Sequence, residues 1–338
     1  MNVGIFYPDA LPASFRVCAD NISAELEQLN VRVLKIKELN AIPSDVDVLW
    51  DPRAGGGNPP PAALCGLRAP LVVTLHGVAP MAIPLLEYYG GLRAAYAGWR
   101  SNRRKVAAWR KLEPFCAEVV TVSSSSRSSI LSKLPIPAEK VSYAYNAVDH
   151  GIFTQLPATN PPSSRAPYFL HVSNDEKRKN VDLICRAYRA LPGSDKPRLI
   201  LKLTKRNKRY EGEGVEVLTG HLSEAQLIDL YQNALSFIFP SAFEGFGIPI
   251  VEAMATGCPV ITSKFHACAE VAGDAALLVD HAHPNELRDA MSSLAQSESL
   301  RDDLRNRGLV RAQAFSWAAT AEHYKQVFEN AVRDSANG

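Results

Sequence analysis

Short apolar runs alternate with helix-length segments along most of this 338-residue chain, and no other feature restricts its fold as tightly. "NVGIFY" (2–7) precedes "CADNISAELEQL" (18–29); "VRVLKI" (31–36), "DVDVLW" (45–50), "PLVVTLHG" (70–77), "AEVVTVS" (117–123) and "KVSYAYNAVD" (140–149) follow, with helical stretches between the later ones. Such alternation predicts parallel strands joined by crossover helices, a doubly wound α/β sheet. "LPATNPPSSRAP" (156–167) interrupts the pattern with four prolines and no period, and reads as a linker. The alternation then restarts with "YFLHV" (168–172), "RLILKL" (198–203), "VEVLTG" (215–220), "LSFIFP" (235–240) and "CPVITS" (258–263). The expectation is two doubly wound Rossmann-like domains, 1–155 and 168–314, facing a central cleft. Ligands of open parallel sheets bind outside the carboxyl ends of the strands, so each loop after a strand is a candidate site element.

Composition narrows the partners. Hydrophobic residues make up 46 % and charged ones 21 %, with a net charge of +2, which fits a globular protein and gives no basic footprint for nucleic acid. No apolar run reaches the roughly 18 residues of a membrane span. "MNVGIFYPDALP" reads as a first strand rather than a leader, which predicts a cytoplasmic chain. The six cysteines, Cys18, Cys65, Cys116, Cys185, Cys258 and Cys268, form no CxxC pair and read as reduced packing residues.

"PSAFEGFGIPIVEAMATGCPVI" (240–261) places two glutamates, Glu244 and Glu252, beside a core-like segment. "LSFIFP" is a buried strand, and Pro249 suits the first turn of a helix that Gly257 and Pro259 end. Gly245 and Gly247 precede that helix, where exposed N–H groups and the helix dipole favour an anion such as phosphate. Carboxylates accept from hydroxyls, as on a ribose or a sugar. On spacing alone, a capped core helix with one solvated glutamate accounts for the pattern equally well.

The stretch "PSAFEGFGIPIVEAMATGCPVITSKFHACAEVAGDAALLVD" (240–280) resembles the signature of family 4 retaining glycosyltransferases of the GT-B fold, whose centre is an E-x7-E motif, here Glu244 to Glu252. "LTGHLSEAQLIDLYQNALSFIFP" (218–240), "FSWAATAEHYKQVFENAV" (315–332), "VVTVSSSSRSSI" (119–130), "NAVD" (146–149) and "VVTLHG" (72–77) extend the resemblance. It implies that Glu252 accepts the ribose hydroxyls of a nucleotide-sugar donor and that Glu244 faces the donor sugar. The amides of Phe246, Gly247 and Ile248 would approach the sugar and diphosphate, and Leu218 and Thr219 would lie on the nucleobase side. The substrate would supply the partners of both carboxylates. The final helix, 315–338, would return to the first domain.

"HVSNDEKRKNVDLI" (171–184) resembles the family's phosphate stretch, with Lys179 at the diphosphate. Asn174 stands where the family often has arginine, which leaves Lys177 or Arg178 to supply a second cation. Alternatively Asn180 caps the next helix and the basic run is solvated. His76 ends a buried strand and is read either as a residue positioned near the sugar or as a histidine satisfied by backbone. The loop 8–17 lacks the family's glycine turn, so Ser14 and Arg16 would act by side chain on the acceptor side. "DPRAGGGNPPP" (51–61) is read as an acceptor loop or a flexible connection.

"LRAAYAGWRSNRRKVAAWRKL" (92–112) carries seven Arg or Lys and no acid, with Leu92, Tyr96, Trp99, Val106 and Trp109 near helical spacing. This suits an anionic membrane surface or, equally, a helix whose stripe is core. The resemblance therefore implies transfer of a sugar, with retention, from a GDP-, UDP- or ADP-sugar to a glycan or lipid-linked acceptor. Neither a metal nor a bound cofactor is called for, and nucleic acid is not a partner. The alternatives are a sugar-nucleotide epimerase or hydrolase of the same fold, and a non-catalytic sugar-nucleotide or membrane-binding protein.

Overall fold

The computed structural model describes residues 1–39, 42–155, 167–193, 196–212 and 214–337. The chain divides into two compact units, Met1–Ala147 with Ser316–Gly338, and Val148–Phe315. Residues 148–155, placed with the first domain on sequence, thus stand with the second. There His150 bonds the Phe315 carbonyl at 2.9 Å and Gln232 donates to the Thr154 carbonyl at 2.9 Å. Of the expected linker, 156–166 lie outside the described residues.

The first unit holds strands β1 (Asn2–Phe6), β2 (Arg32–Ile36), β3 (Val48–Ala54), β4 (Leu71–Leu75), β5 (Cys116–Thr121) and β6 (Val141–Tyr143). Its helices are α1 (Ala13–Gln28), α2 (Ala79–Ala82), α3 (Leu85–Tyr89), α4 (Leu92–Leu112) and α5 (Ser124–Lys133). The strands pair in parallel in the order β2-β1-β3-β4-β5-β6. β4, LVVTL, is buried along its whole length, as a central parallel strand covered on both faces must be.

The second unit holds β7 (Tyr168–Ser173), β8 (Arg198–Leu203), β9 (Val215–Leu218), β10 (Ser236–Phe239), β11 (Val260–Ser263) and β12 (Ala276–Val279). Helices α6 (Val181–Arg189), α7 (Glu224–Gln232), α8 (Ile248–Ala255), α9 (His266–Ala272), α10 (Pro284–Gln296) and α11 (Glu298–Ala312) flank them. The parallel order is β12-β11-β10-β7-β8-β9. After β9 the chain returns to the other side of β7, so the strand order reverses between β7 and β10. In the first unit the reversal falls between β1 and β3. A crevice opens outside the strand ends at each such reversal.

The last helix, α12 (Trp317–Asn337), belongs to the first unit. Tyr324 and Phe328 pack their rings on Trp50 of β3, at 5.1 and 5.8 Å between centroids. The buried polar atoms are satisfied in a chain: Trp50 Nε1 donates to Thr74 Oγ1 at 2.8 Å, and Thr74 shares a 2.8 Å bond with the Tyr324 hydroxyl. All six cysteines are free, and five are buried.

Candidate active site

The loops leaving β7 and β10 meet at the reversal of the second sheet. After Ser173 the chain runs through "NDEKRKN", makes one turn of 3-10 helix over Lys177–Lys179, and enters α6 through Asn180 at φ 59°. Asn is among the few side-chain-bearing residues that adopt this left-handed conformation readily. Asn180 does not cap α6 with its side chain. Its Nδ2 instead donates to the Pro240 carbonyl at 2.9 Å and the His281 carbonyl at 3.0 Å. The amide of Ala242 donates to the Arg178 carbonyl at 2.8 Å. These bonds fix the basic turn against the loop that carries Glu244.

Glu244 is buried. Its Oε1 accepts from Lys179 Nζ and from Ser241 Oγ, both at 2.6 Å, and its Oε2 lies 2.8 Å from Arg178 Nη1. Burial alone would raise its carboxyl. The Lys179 and Arg178 charges, with the bonds from Lys179 and Ser241, outweigh that and hold it down at about 2. The sequence reading gave the substrate the task of supplying Glu244's partners. The structure corrects this: the protein supplies three donors, because a carboxylate so placed is too costly to bury unpaired. It also brings Arg178 to the carboxylate that Lys179 holds. The Arg178 Nε is bonded in turn to Glu176 at 2.6 Å.

After Glu244, Gly245 is half-buried, and Phe246 turns its ring edge-on to Phe315 at 5.3 Å. Gly247 precedes α8 at φ 103°, a conformation that a side chain there would strain. Ile248 opens the helix, and Pro249 stands in its first turn, where a missing N–H costs nothing. Glu252 follows about one turn on. Its Oε2 accepts from the buried Tyr231 hydroxyl at 2.9 Å, and Oε1 has no partner among the described residues. Burial raises this carboxyl to about 7, against the Tyr231 bond, which lowers it.

Asn174 donates to Glu176 Oε1 at 2.7 Å, and its own Oδ1 is enclosed without a partner among the described residues. Leu218 ends β9, and the exposed Thr219 follows it. β9 is an edge strand beyond β8, so both residues start about 10 Å from β7, on the side away from β10. The structure thus brings together Glu244, Lys179, Arg178, Asn174 and residues 245–248, with Glu252 a turn further in, and leaves Leu218 and Thr219 apart. Sequence reasoning missed Ser241, Tyr231 and the buried His171. Ser241 sits three residues before Glu244 in a loop, which is a legible signal. Tyr231 and His171 lie within apolar periods and give none.

In the first unit His76 follows β4, half-buried. Its Nε2 meets the Pro52 carbonyl at 2.8 Å, and its ring stacks on Phe15 at 4.1 Å. Burial depresses its pKa to about 4, so the ring is neutral at pH 7. Since a carbonyl only accepts, Nε2 carries the proton and Nδ1 keeps a lone pair with no partner among the described residues. The reading of this histidine as satisfied by backbone accounts for Nε2. Ser14 is exposed in the first turn of α1. Arg16 Nη2 donates back to the Asp9 carbonyl at 3.0 Å and so shapes its own loop. The glycine run is a fixed turn rather than a flexible connection: Lys105 Nζ donates to the Gly56 carbonyl at 2.7 Å and Trp109 Nε1 to that of Gly57 at 3.0 Å.

The stripe read along 92–112 divides. Trp109 is fully buried and Val106 packs on the core. Leu92, Tyr96 and Trp99 are 78, 61 and 42 % exposed, and the Arg103 guanidinium lies over Trp99 at 5.0 Å. The inner face of this half of α4 is Ala95 and Gly98 instead.

Two family models match the chain: "Glycosyl transferases group 1" over residues 153–311 and "Glycosyltransferase Family 4" over 36–151. An O-antigen chain mannosyltransferase B of Escherichia coli is 34 % identical over 220 residues, which are 59 % of this chain and 57 % of that protein, so the chain spans little more than half of its length. An MMP alpha-(1->4)-mannosyltransferase of Mycolicibacterium hassiacum is 27 % identical over 311 residues, 85 % of this chain and 71 % of that one. A solved sucrose-phosphate synthase from Thermosynechococcus elongatus superposes with a TM-score of 0.74 at 16 % identity, over 97 % of this chain and 98 % of that one, a likeness of fold.

Proposed function

The chain belongs to the family 4 glycosyltransferases, with the GT-B fold, and from that premise we propose that it transfers a hexose from a nucleotide sugar to a hydroxyl acceptor with retention at the anomeric carbon. The observation that carries the reading is the convergence of Lys179, Arg178 and Ser241 on Glu244 at the strand reversal of the second unit, with Glu252 one turn into the adjoining helix. The two cations and the first N–H groups of α8 hold the donor diphosphate and stabilise the charge that develops as it leaves. Glu252 accepts from the ribose with the oxygen that Tyr231 leaves open. Glu244 turns toward the sugar, its ionised state secured by the cations. The leaving phosphate oxygen takes the acceptor proton, so no side chain serves as general base.

Mannose is the favoured sugar, because mannosyltransferases recur among the relatives, and the favoured acceptor is a precursor of a surface polysaccharide. Incubation with GDP-mannose, UDP-glucose and ADP-glucose, with hydrolysis and transfer followed by released diphosphate, tests this. Activity that survives EDTA is expected, since the cationic side chains do a metal's work. Turnover of none of the three, by a protein that binds their diphosphates, would favour a non-catalytic binder.

The lipid-linked form of the acceptor is supported by α4. Its exposed Leu92, Tyr96 and Trp99 stand among Arg93, Arg100 and Arg103, a pattern suited to an anionic bilayer surface. Among the described residues no helix is long and apolar enough to cross a membrane. Sedimentation with phosphatidylglycerol vesicles, lost in the Trp99→Ser, Arg103→Ser double variant, is the expected result.

A further inference from the structure

His171 lies in the middle of β7, fully buried, and makes contacts that a neutral imidazole has too few protons to fill. Its Nδ1 is 2.7 Å from the Ile238 carbonyl of β10, its Nε2 is 2.7 Å from Ser173 Oγ, and Ser173 Oγ is 2.6 Å from the Asn174 carbonyl. Both carbonyls only accept. Three contacts need three protons, and Ser173 contributes one. If Nδ1 carries the single proton of a neutral ring, the serine proton must choose between Nε2 and the Asn174 carbonyl. If Nε2 carries it, two lone pairs face each other between Nδ1 and Ile238. The imidazolium alone satisfies all three: Nδ1–H to Ile238, Nε2–H to Ser173, and Ser173 to Asn174.

Burial opposes that charge. It depresses the pKa of His171 to about 4, with the Lys179 charge acting in the same direction and the Ile238 bond and Glu244 acting against it. The neighbouring strand positions are uncharged: Leu201 pairs with His171 on β8, and Phe239 of β10 stacks at 6.0 Å. The balance is therefore set at the Lys179–Glu244 cluster, where the proposed donor brings two or more negative charges.

We propose that His171 is a proton-linked positioning residue for the donor: a diphosphate held at Lys179 and Arg178 draws a proton onto the buried imidazole, and the imidazolium then fixes the Ser173–Asn174 turn against β10. The inference rests on the diphosphate site proposed above and goes beyond it. The proton comes from solvent by way of the half-buried Ser173, and no bond between heavy atoms forms or breaks.

Nitrogen-15 spectra of the histidine-labelled full chain, titrated with GDP, UDP and ADP, test it, with His171 assigned from a His171→Gln variant or from its two hydrogen-bonded ring nitrogens. In the free protein one ring nitrogen is expected to carry a proton. At saturation with the diphosphate that binds, both should. Ser173→Ala supplies a second readout, because it removes the hydroxyl for which the two acceptors compete. Wild-type affinity should fall with rising pH more steeply than the variant's, by up to about tenfold per pH unit, the limit for one coupled proton. A neutral His171 at saturation, or parallel pH profiles for the two proteins, would overturn the proposal and leave the diphosphate site standing. Failure of all three diphosphates to bind the folded chain would overturn both.

Discussion

The two units solve the same topological problem with opposite chemistry. Counted within each unit, the second sheet runs 3-2-1-4-5-6 and the first 2-1-3-4-5-6, and each leaves a crevice where its order reverses. In the second the crevice loops carry Lys179, Arg178 and Glu244, an ion cluster buried to within a tenth of full enclosure at the lysine and the glutamate. In the first, Phe15 of α1 stacks on His76 after β4, with the histidine neutral, beside a glycine turn tied down by Lys105 and Trp109. A site for a diphosphate must hold charge in place before the ligand arrives, whereas one for a neutral hydroxyl needs shape and a lone pair. A shared doubly wound architecture thus does not by itself say which substrate a unit would handle.

The sharpest way to break this contrast is Lys179→Met. It leaves Glu244 with one cation fewer in a buried place, a change worth about 3–5 kcal/mol of stability. On the proposed reading it also removes a charge that serves the leaving group, so turnover should fall by about 10²–10³-fold in whatever protein remains folded. Melting curves and steady-state rates measure the two. Full activity at unchanged stability would mean that the cluster is neither structural nor catalytic.

Glu244→Gln isolates the carboxylate. In the folded chain this group titrates at about 2, against 4.5 when unperturbed. Its folded pKa is depressed, so the stability it contributes is present above pH 4.5 and is lost as pH falls toward 2, a difference of about 3 kcal/mol. Urea unfolding between pH 5 and 2 should be markedly less pH-dependent in the variant. Turnover should fall while diphosphate affinity is kept if, as proposed, the carboxylate faces the sugar.

Glu252 should respond in the opposite sense. Its folded pKa is raised to about 7, so its protonated form is favoured below that value and the protein loses stability as pH rises through it. Hydroxyl donors from a ribose favour the ionised form, and binding should release a proton near pH 6–7. Calorimetry in two buffers of different ionisation enthalpy reads this release. Glu252→Gln should abolish it and weaken diphosphate binding by about 1–3 kcal/mol. No release, at unchanged affinity, would remove Glu252 from the site.

How much of this was legible in the sequence follows from how local each signal is. The strands were readable because Val, Ile and Leu runs such as "LVVTL" and "LILKL" have one physical explanation, burial within a parallel sheet. The Glu244–Glu252 spacing and the turn at Gly247 were readable because loop and helix start are contiguous in the chain. The Lys179–Glu244 bond joins residues 65 apart, and only the pairing of β7 with β10 brings them together. The stripe on α4 left two readings open, membrane surface and core, because periodicity reports which residues share a face but not what covers it. Arg178 and Lys177 are neighbours of one type, and composition offers no reason why the first turns inward to Glu244.

The smallest expected effect tests the neutral side of the comparison. His76→Phe keeps the stack on Phe15 and removes both the bond to the Pro52 carbonyl and the open lone pair of Nδ1. If the first unit acts on the acceptor and the sugar through neutral contacts, diphosphate affinity should stay unchanged and turnover should fall by about tenfold, the worth of one hydrogen bond. The wild-type pH profile carries a second check. Because folding depresses the His76 pKa from 6.5 to about 4, the unfolded chain takes up a proton in that window that the folded one refuses. Stability should therefore decline as pH falls from 6.5 toward 4, and the variant should decline less. A loss of diphosphate binding in His76→Phe would show that this histidine reaches the charged ligand, and the division of chemistry between the two crevices would fall with it.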